Sequence, residues 1–127
     1  MIVVDTSIWV EALRQAQSPA AETLRGLLDA DEVALPFPVR LELSSGVTRR
    51  DRASLKRALS SLPVMLPSDA TWRQLERWID DAANAGQRFA ISDLLIAALA
   101  DEIGALVWTR DGDFQRMADL KLVRLYQ

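Results

Sequence analysis

Apolar positions in this chain fall into two arrangements: short unbroken runs, and longer stretches in which Leu, Ile, Ala or Trp recur every three or four positions. The short runs are Ile2–Val4, Val33–Leu35, Val64–Leu66, Ala105–Thr109 and Leu122–Leu125. Each is bounded by turn or capping residues, and each reads as a β-strand. Helical spacing fills the intervals. Leu24, Leu27 and Leu28 mark one face of Pro19–Ala30, with Ser18 placed to cap it and Pro19 at its first helical position. Thr48 and Asp51 form a capping-box pattern ahead of Leu55, Ala58, Leu59 and Leu62. From Asp69 to Ala85 the stripe is Trp72, Leu75, Ile79 and Ala82, and Gly86 stops the helix. Strands that are almost wholly apolar and separated by helices predict a mostly parallel sheet of five strands, with helices on both faces. The fold class is α/β. In such sheets ligands collect at the carboxyl ends of the strands, so function is expected there.

Length and composition narrow the picture. A chain of 127 residues with 50% hydrophobic and 26% charged residues is sized for one core. No repeat, low-complexity tract or linker divides it, so residues 1–127 are expected to form a single domain. The chain has no Cys and no His, which removes disulfides, Cys-based zinc sites, cysteine nucleophiles and imidazole-dependent triads. The net charge of -3 offers no global attraction for nucleic acid. Among the basic residues only Lys56 and Lys121 are lysines, and the arginine fork suits phosphate and carboxylate partners. The first strand follows Met1 directly, leaving no room for a leader, and Leu94–Ala100 is far shorter than the ~20 residues that span a bilayer. A cytoplasmic protein with no membrane contact is expected.

Acids stand where strands end. Asp5 closes the first strand, and Asp111 and Asp113 follow Ala105–Thr109 in the run Thr109-Arg110-Asp111-Gly112-Asp113-Phe114. Asp93 opens the helix that begins Leu94-Leu95-Ile96, where Ala97, Ala98 and Ala100 are suited to close packing. Glu42 lies in a helix after Pro36-Phe37-Pro38. Each acid has an ordinary structural explanation as a cap, a turn residue, a helix-dipole partner or a solvated side chain. If they converge, the electrostatics become demanding: two carboxylates about 5 Å apart repel by about 3 kcal/mol at an effective dielectric of about 20. Such a cluster needs a cation. Oxygen ligands without His or Cys select a hard ion, Mg²⁺ or Mn²⁺, which activates water and neutralises phosphoryl charge.

The runs Val3-Val4-Asp5-Thr6-Ser7-Ile8-Trp9, Glu42-Leu43 followed by Gly46, Asp93-Leu94-Leu95-Ile96-Ala97-Ala98 and Thr109-Arg110-Asp111-Gly112-Asp113-Phe114 together resemble a PIN-domain ribonuclease of the VapC type, the toxin of a toxin–antitoxin pair. The resemblance covers essentially the whole chain. It implies a PIN-like α/β fold and catalytic acids Asp5, Glu42, Asp93 and Asp111. Asp5, Asp93, Asp111 and Asp113 are the metal-binding positions, with Asp111 and Asp113 alternatives for the main fourth acid. Thr6, Ser7 and Thr109 correspond to positions that support the site through hydroxyl contacts. The family implies Mg²⁺- or Mn²⁺-dependent cleavage of RNA by a metal-activated water, leaving a 5′-phosphate and a 3′-hydroxyl. It also implies a homodimer, and a VapB-type antitoxin whose terminal segment fills an apolar groove and sends a basic side chain among the acids. Trp9 and Leu13 are the groove residues expected from the sequence.

Arg49, Arg50 and Arg52, with Lys56 and Arg57, form the one dense basic segment. They are expected to contact RNA phosphates, or else to form a solvated helix face. Two other functions compete. A Mg²⁺-dependent phosphohydrolase of the haloacid-dehalogenase kind would place a second Asp two residues after the first, where this chain has Ser7. A non-catalytic PIN-like binding module would not require the full set of acids.

Overall fold

The computed structural model describes residues 1–127. In chain order its elements are β1 (Ile2–Val4), α1 (Thr6–Arg14), α2 (Pro19–Asp29), β2 (Val33–Pro36), α3 (Phe37–Gly46), α4 (Arg52–Ser60), β3 (Val64–Met65), α5 (Asp69–Asn84), α6 (Ile91–Glu102), β4 (Leu106–Trp108) and α7 (Gly112–Asp119). The strands form one parallel sheet in the order β3-β2-β1-β4. Strand β1 is central, pairing Ile2 with Val33 on one side and with Leu106 on the other. Successive strand residues point to opposite faces, yet Ile2, Val3 and Val4 are all buried, so helices cover both faces.

The sheet has four strands where five were expected. The run Leu122–Leu125 adds only a single parallel bridge, Val107 to Leu125, beyond β4. Its apolar residues Leu122 and Val123 are buried, so packing accounts for the run without a ladder. The core is one cluster of 32 buried residues centred on the strands and on α6. Every residue from Leu94 to Ala100 is buried, and Ala97, Ala98 and Ala100 are small where α6 packs most tightly.

Two helix starts contrast. Ser18 caps α2 as its sequence predicts, its hydroxyl accepting the Ala21 N–H at 3.1 Å, with Pro19 at the first position. Thr48 does not begin α4. Its hydroxyl donates to Asp51 Oδ2 at 3.2 Å within a turn, and the helix starts at Arg52. The local hydrogen bond competes with helix formation and delays it. At the other end of α5, Gly86 has φ +70°, a conformation that suits glycine and ends the helix as expected.

The buried stripe of α5 is Thr71, Leu75, Trp78 and Ala82, not the expected stripe through Trp72 and Ile79. Two apolar stripes overlap on this helix. The one that buries Trp78 also buries the Thr71 hydroxyl, which meets Glu102 and accepts the Ser68 N–H. Trp72 and Ile79 are left on the surface.

Candidate metal centre

The strand order places β1 between β2 and β4: the chain steps outward from β1 to β2 and β3 and then returns to β4 on the other side of β1, so its direction across the sheet reverses beside β1. A crevice at such a reversal is where α/β sheets gather ligands. The Asp5 N–H donates to the Trp108 carbonyl at 2.9 Å, tying the ends of β1 and β4 together there.

Asp5 is buried and occupies the N-cap position of α1, but its side chain makes no capping hydrogen bond. Its Oδ2 accepts two hydroxyls instead, from Ser7 at 3.0 Å and Thr109 at 2.8 Å. Both hydroxyls are relays. Ser7 Oγ accepts the Arg110 N–H at 3.0 Å, and Thr109 Oγ1 accepts the Asp111 N–H at 2.9 Å. Thus the loop after β4 is held against the end of β1 through one carboxylate. Thr6 makes none of the hydroxyl contacts expected of it. Its Oγ1 is buried without a hydrogen-bond partner, because the hydroxyls that reach Asp5 come from Ser7 and Thr109.

Asp111 caps α7, its Oδ1 accepting the Asp113 N–H at 2.9 Å, which is the ordinary role open to it from sequence. It also belongs to a cluster. Carboxylate oxygens of Asp93, Asp111 and Asp113 all lie within 4.8 Å of one another, so these three side chains can hold a metal ion. Both acids of the 111–113 loop are present in it. Asp5 lies outside that close set, as does Glu42, whose Oε1 accepts the Ser92 hydroxyl at 2.8 Å. Both are nonetheless felt there. Asp93 has its carboxyl raised from 3.8 to about 6, first by desolvation and then by the charges of Asp111, Asp5, Asp113 and Glu42. The structure therefore brings all five predicted acids to one edge, three in mutual reach and two as neighbours.

Three supporting residues carried no functional role in the sequence reading. Ser92 orients Glu42 from the start of α6. Arg116 pairs with Asp113 at 2.8 Å. Arg110 reaches Glu11 of α1 through both Nε and Nη2 at 3.3 Å. Of these, only the i,i+3 spacing of Asp113 and Arg116 on one helix was a readable signal.

Two cavities border Glu42. One of about 330 Å³ is lined by Val10, Leu13, Leu43 and Val47, with Glu42 and Arg14 at its polar side. Leu13 lines it, whereas Trp9 is only 2% exposed and belongs to the core. Thr48 and Asp51 border the same cavity, so the exposed turn carrying Arg49 and Arg50 stands beside it, with Arg52 opening α4. A broader apolar groove of about 680 Å³ includes the exposed Leu41, Leu66, Trp72 and Ile91. No helix is long and apolar enough to cross a membrane.

A covered parallel sheet with acids at its carboxyl edge is the architecture of a PIN domain: the PIN domain model matches residues 2–120, and the chain belongs to that family. Within the family it is similar to the VapC ribonucleases. It is 38% identical to Ribonuclease VapC11 of Mycobacterium tuberculosis, over 93% of this chain and 92% of that one. It is 33% identical to Ribonuclease VapC18 of the same species, over 91% of this chain and 85% of that one. Among solved structures it shares its fold with VapBC2 from Rickettsia felis bound to a promoter DNA fragment, at 22% identity and a TM-score of 0.79, covering 99% of this chain and 98% of that one.

Proposed function

We propose that this chain is a divalent-metal-dependent endoribonuclease and the toxin of a toxin–antitoxin pair, acting in the cytoplasm as one PIN domain over residues 1–127. The observation that carries the reading is the triad of Asp93, Asp111 and Asp113, whose oxygens lie within 4.8 Å of one another at the sheet's carboxyl edge. The names of the VapC relatives support the ribonuclease activity.

The donor set fits a hard cation. It is all oxygen, burial and then the neighbouring acids raise Asp93 within it, and it has neither His nor Cys to recruit zinc. In this reading Asp93, Asp111 and Asp113 hold Mg²⁺, or Mn²⁺ in its place, with Asp5 as a further metal-facing acid. A bound divalent ion supplies a water of lowered pKa and neutralises charge on the scissile phosphodiester. The protein's own contribution is orientation. Ser7 and Thr109 fix Asp5, and the same Thr109 hydroxyl fixes the backbone of Asp111. Ser92 holds Glu42 toward the site, where it acts as the fourth catalytic acid with Asp5, Asp93 and Asp111. Arg49, Arg50 and Arg52 contact RNA phosphates beside it.

The partners follow from the two cavities. The one lined by Leu13 and Val47 receives the terminal segment of a VapB-type antitoxin, whose basic residue reaches toward Glu42 and relieves the repulsion that a metal otherwise relieves. The apolar groove at Leu41, Trp72 and Ile91 faces a second copy in a homodimer. The test is incubation of the purified chain with total RNA in Mg²⁺ and in EDTA. Cleavage in Mg²⁺ alone is expected, and cleavage that survives EDTA contradicts the proposal.

A further inference from the structure

We propose that Arg116 is an internal counter-ion of the acid cluster: it steadies the metal-free protein by neutralising Asp113 and, in doing so, weakens divalent-ion binding at the same carboxylates. This rests on the metal reading above. The chain contains two ion pairs, Arg110 with Glu11 and Arg116 with Asp113, so Arg116 is the one cation paired with any of the five acids.

An i,i+3 pair on a helix surface is ordinarily loose and contributes little. This one is pinned. Arg116 Nη2 donates to Asp113 Oδ1 at 2.8 Å, Nη1 donates to Gln87 Oε1, and the guanidinium lies 4.6 Å from the centre of the Phe89 ring. Gln87 and Phe89 belong to the segment that joins α5 to α6, so a single side chain ties the approach to Asp93 to the first turn of α7. Stacking on an aromatic face and forked donation are what a guanidinium does well.

Two opposing effects follow for a metal at Asp93, Asp111 and Asp113. Arg116 orders Asp113, which favours binding. It also places a fixed positive charge beside the site and occupies one of the oxygens, which opposes binding. The second effect wins. Asp113 has only two side-chain torsions to order and sits on a helical turn that already fixes its backbone, whereas the repulsion scales with the product of the charges and a divalent ion doubles it.

The test compares wild type with Arg116→Met and Arg116→Lys, reading the unfolding temperature in EDTA and the affinity for Mn²⁺ by calorimetry. Arg116→Met should melt at a lower temperature in EDTA and bind Mn²⁺ about three- to tenfold more tightly, while Arg116→Lys, which keeps the charge but loses the fork and the stacking on Phe89, should also melt lower yet bind Mn²⁺ near wild type. In an Asp113→Asn background the Met substitution should still tighten Mn²⁺ binding, by a smaller factor, because Gln87 and Phe89 keep the Arg116 charge beside the site while the occupied oxygen is gone. Arg116→Gln carries the same expectation as Met and serves if the Met variant does not fold. A purely structural residue would lower stability and affinity together. Unchanged or weaker Mn²⁺ binding in both neutral variants overturns the proposal alone. A wild-type protein that binds no Mn²⁺ overturns the metal reading and this proposal with it.

Discussion

The five acids at the sheet edge are held in two different ways. Asp5 and Glu42 are anchored: each accepts hydroxyls, from Ser7 and Thr109 in one case and from Ser92 in the other. Asp93, Asp111 and Asp113 are instead crowded, with their oxygens in mutual reach, and the Asp93 carboxyl is raised to about 6, first by its burial and then by the neighbouring acids, Asp111 foremost. Anchoring by neutral donors fixes a carboxylate without neutralising it. The first group can therefore stand ready in the metal-free protein, while in the second only Asp113 has a counter-ion, Arg116, and the repulsion left among the three is what a metal ion releases.

Asp93→Asn attacks the crowded group and should have the largest effect. Cleavage should fall by more than about a hundredfold, since losing even an outer-shell partner of a metal ligand commonly costs 10- to 100-fold. Thr109→Val attacks the anchored group. It keeps the shape of the side chain but removes both the donor to Asp5 and the acceptor for Asp111, and should lower kcat about ten- to a hundredfold, measured at saturating metal. If Thr109→Val were as damaging as Asp93→Asn, the distinction between anchored and crowded acids would fail.

Stability against pH separates the groups more gently. The Asp93 carboxyl titrates near 3.8 when unfolded and near 6 when folded, so the folded state holds its proton more tightly between those values. Its contribution is fully present below about pH 4 and is lost as pH rises toward about 6, amounting to about 1 kcal/mol after allowance for solvent screening. The difference in unfolding temperature between wild type and Asp93→Asn, taken in EDTA across that range, isolates it. Ser92→Ala should matter least. Glu42 is exposed and retains its position on α3, so a loss in kcat of no more than about threefold is expected.

Three of the acids could be read from the sequence because they follow apolar runs, Asp5 after Ile2–Val4 and Asp111 and Asp113 after the strand ending at Trp108, whereas Asp93 opens a helix and Glu42 lies within one. A parallel sheet turns that one-dimensional regularity into a shared edge. What was not readable depends on register or long-range contact. The stripe of α5 keeps Leu75 and Ala82 but takes Thr71 and Trp78 in place of Trp72 and Ile79, because Trp72 and Trp78 lie on overlapping apolar faces and periodicity does not say which face is buried. Ser92 and Glu42 are 50 residues apart, and the pairing of Asp5 with Thr109 spans 104. The delayed start of α4 turns on one hydrogen bond between Thr48 and Asp51 that a capping pattern also permits. Leu122–Leu125 has strand-like residues, but packing against the core satisfies them with one bridge.

Thermal unfolding of wild type and Asp93→Asn, each in EDTA and in excess Mn²⁺, bears most directly on the idea that stored repulsion is the basis of this site. The two proteins should exchange places. Asp93→Asn should melt higher in EDTA, where it has shed a crowded charge, and wild type should melt higher in Mn²⁺, where only the full triad gains from the ion. The same order of melting in both conditions would contradict the account.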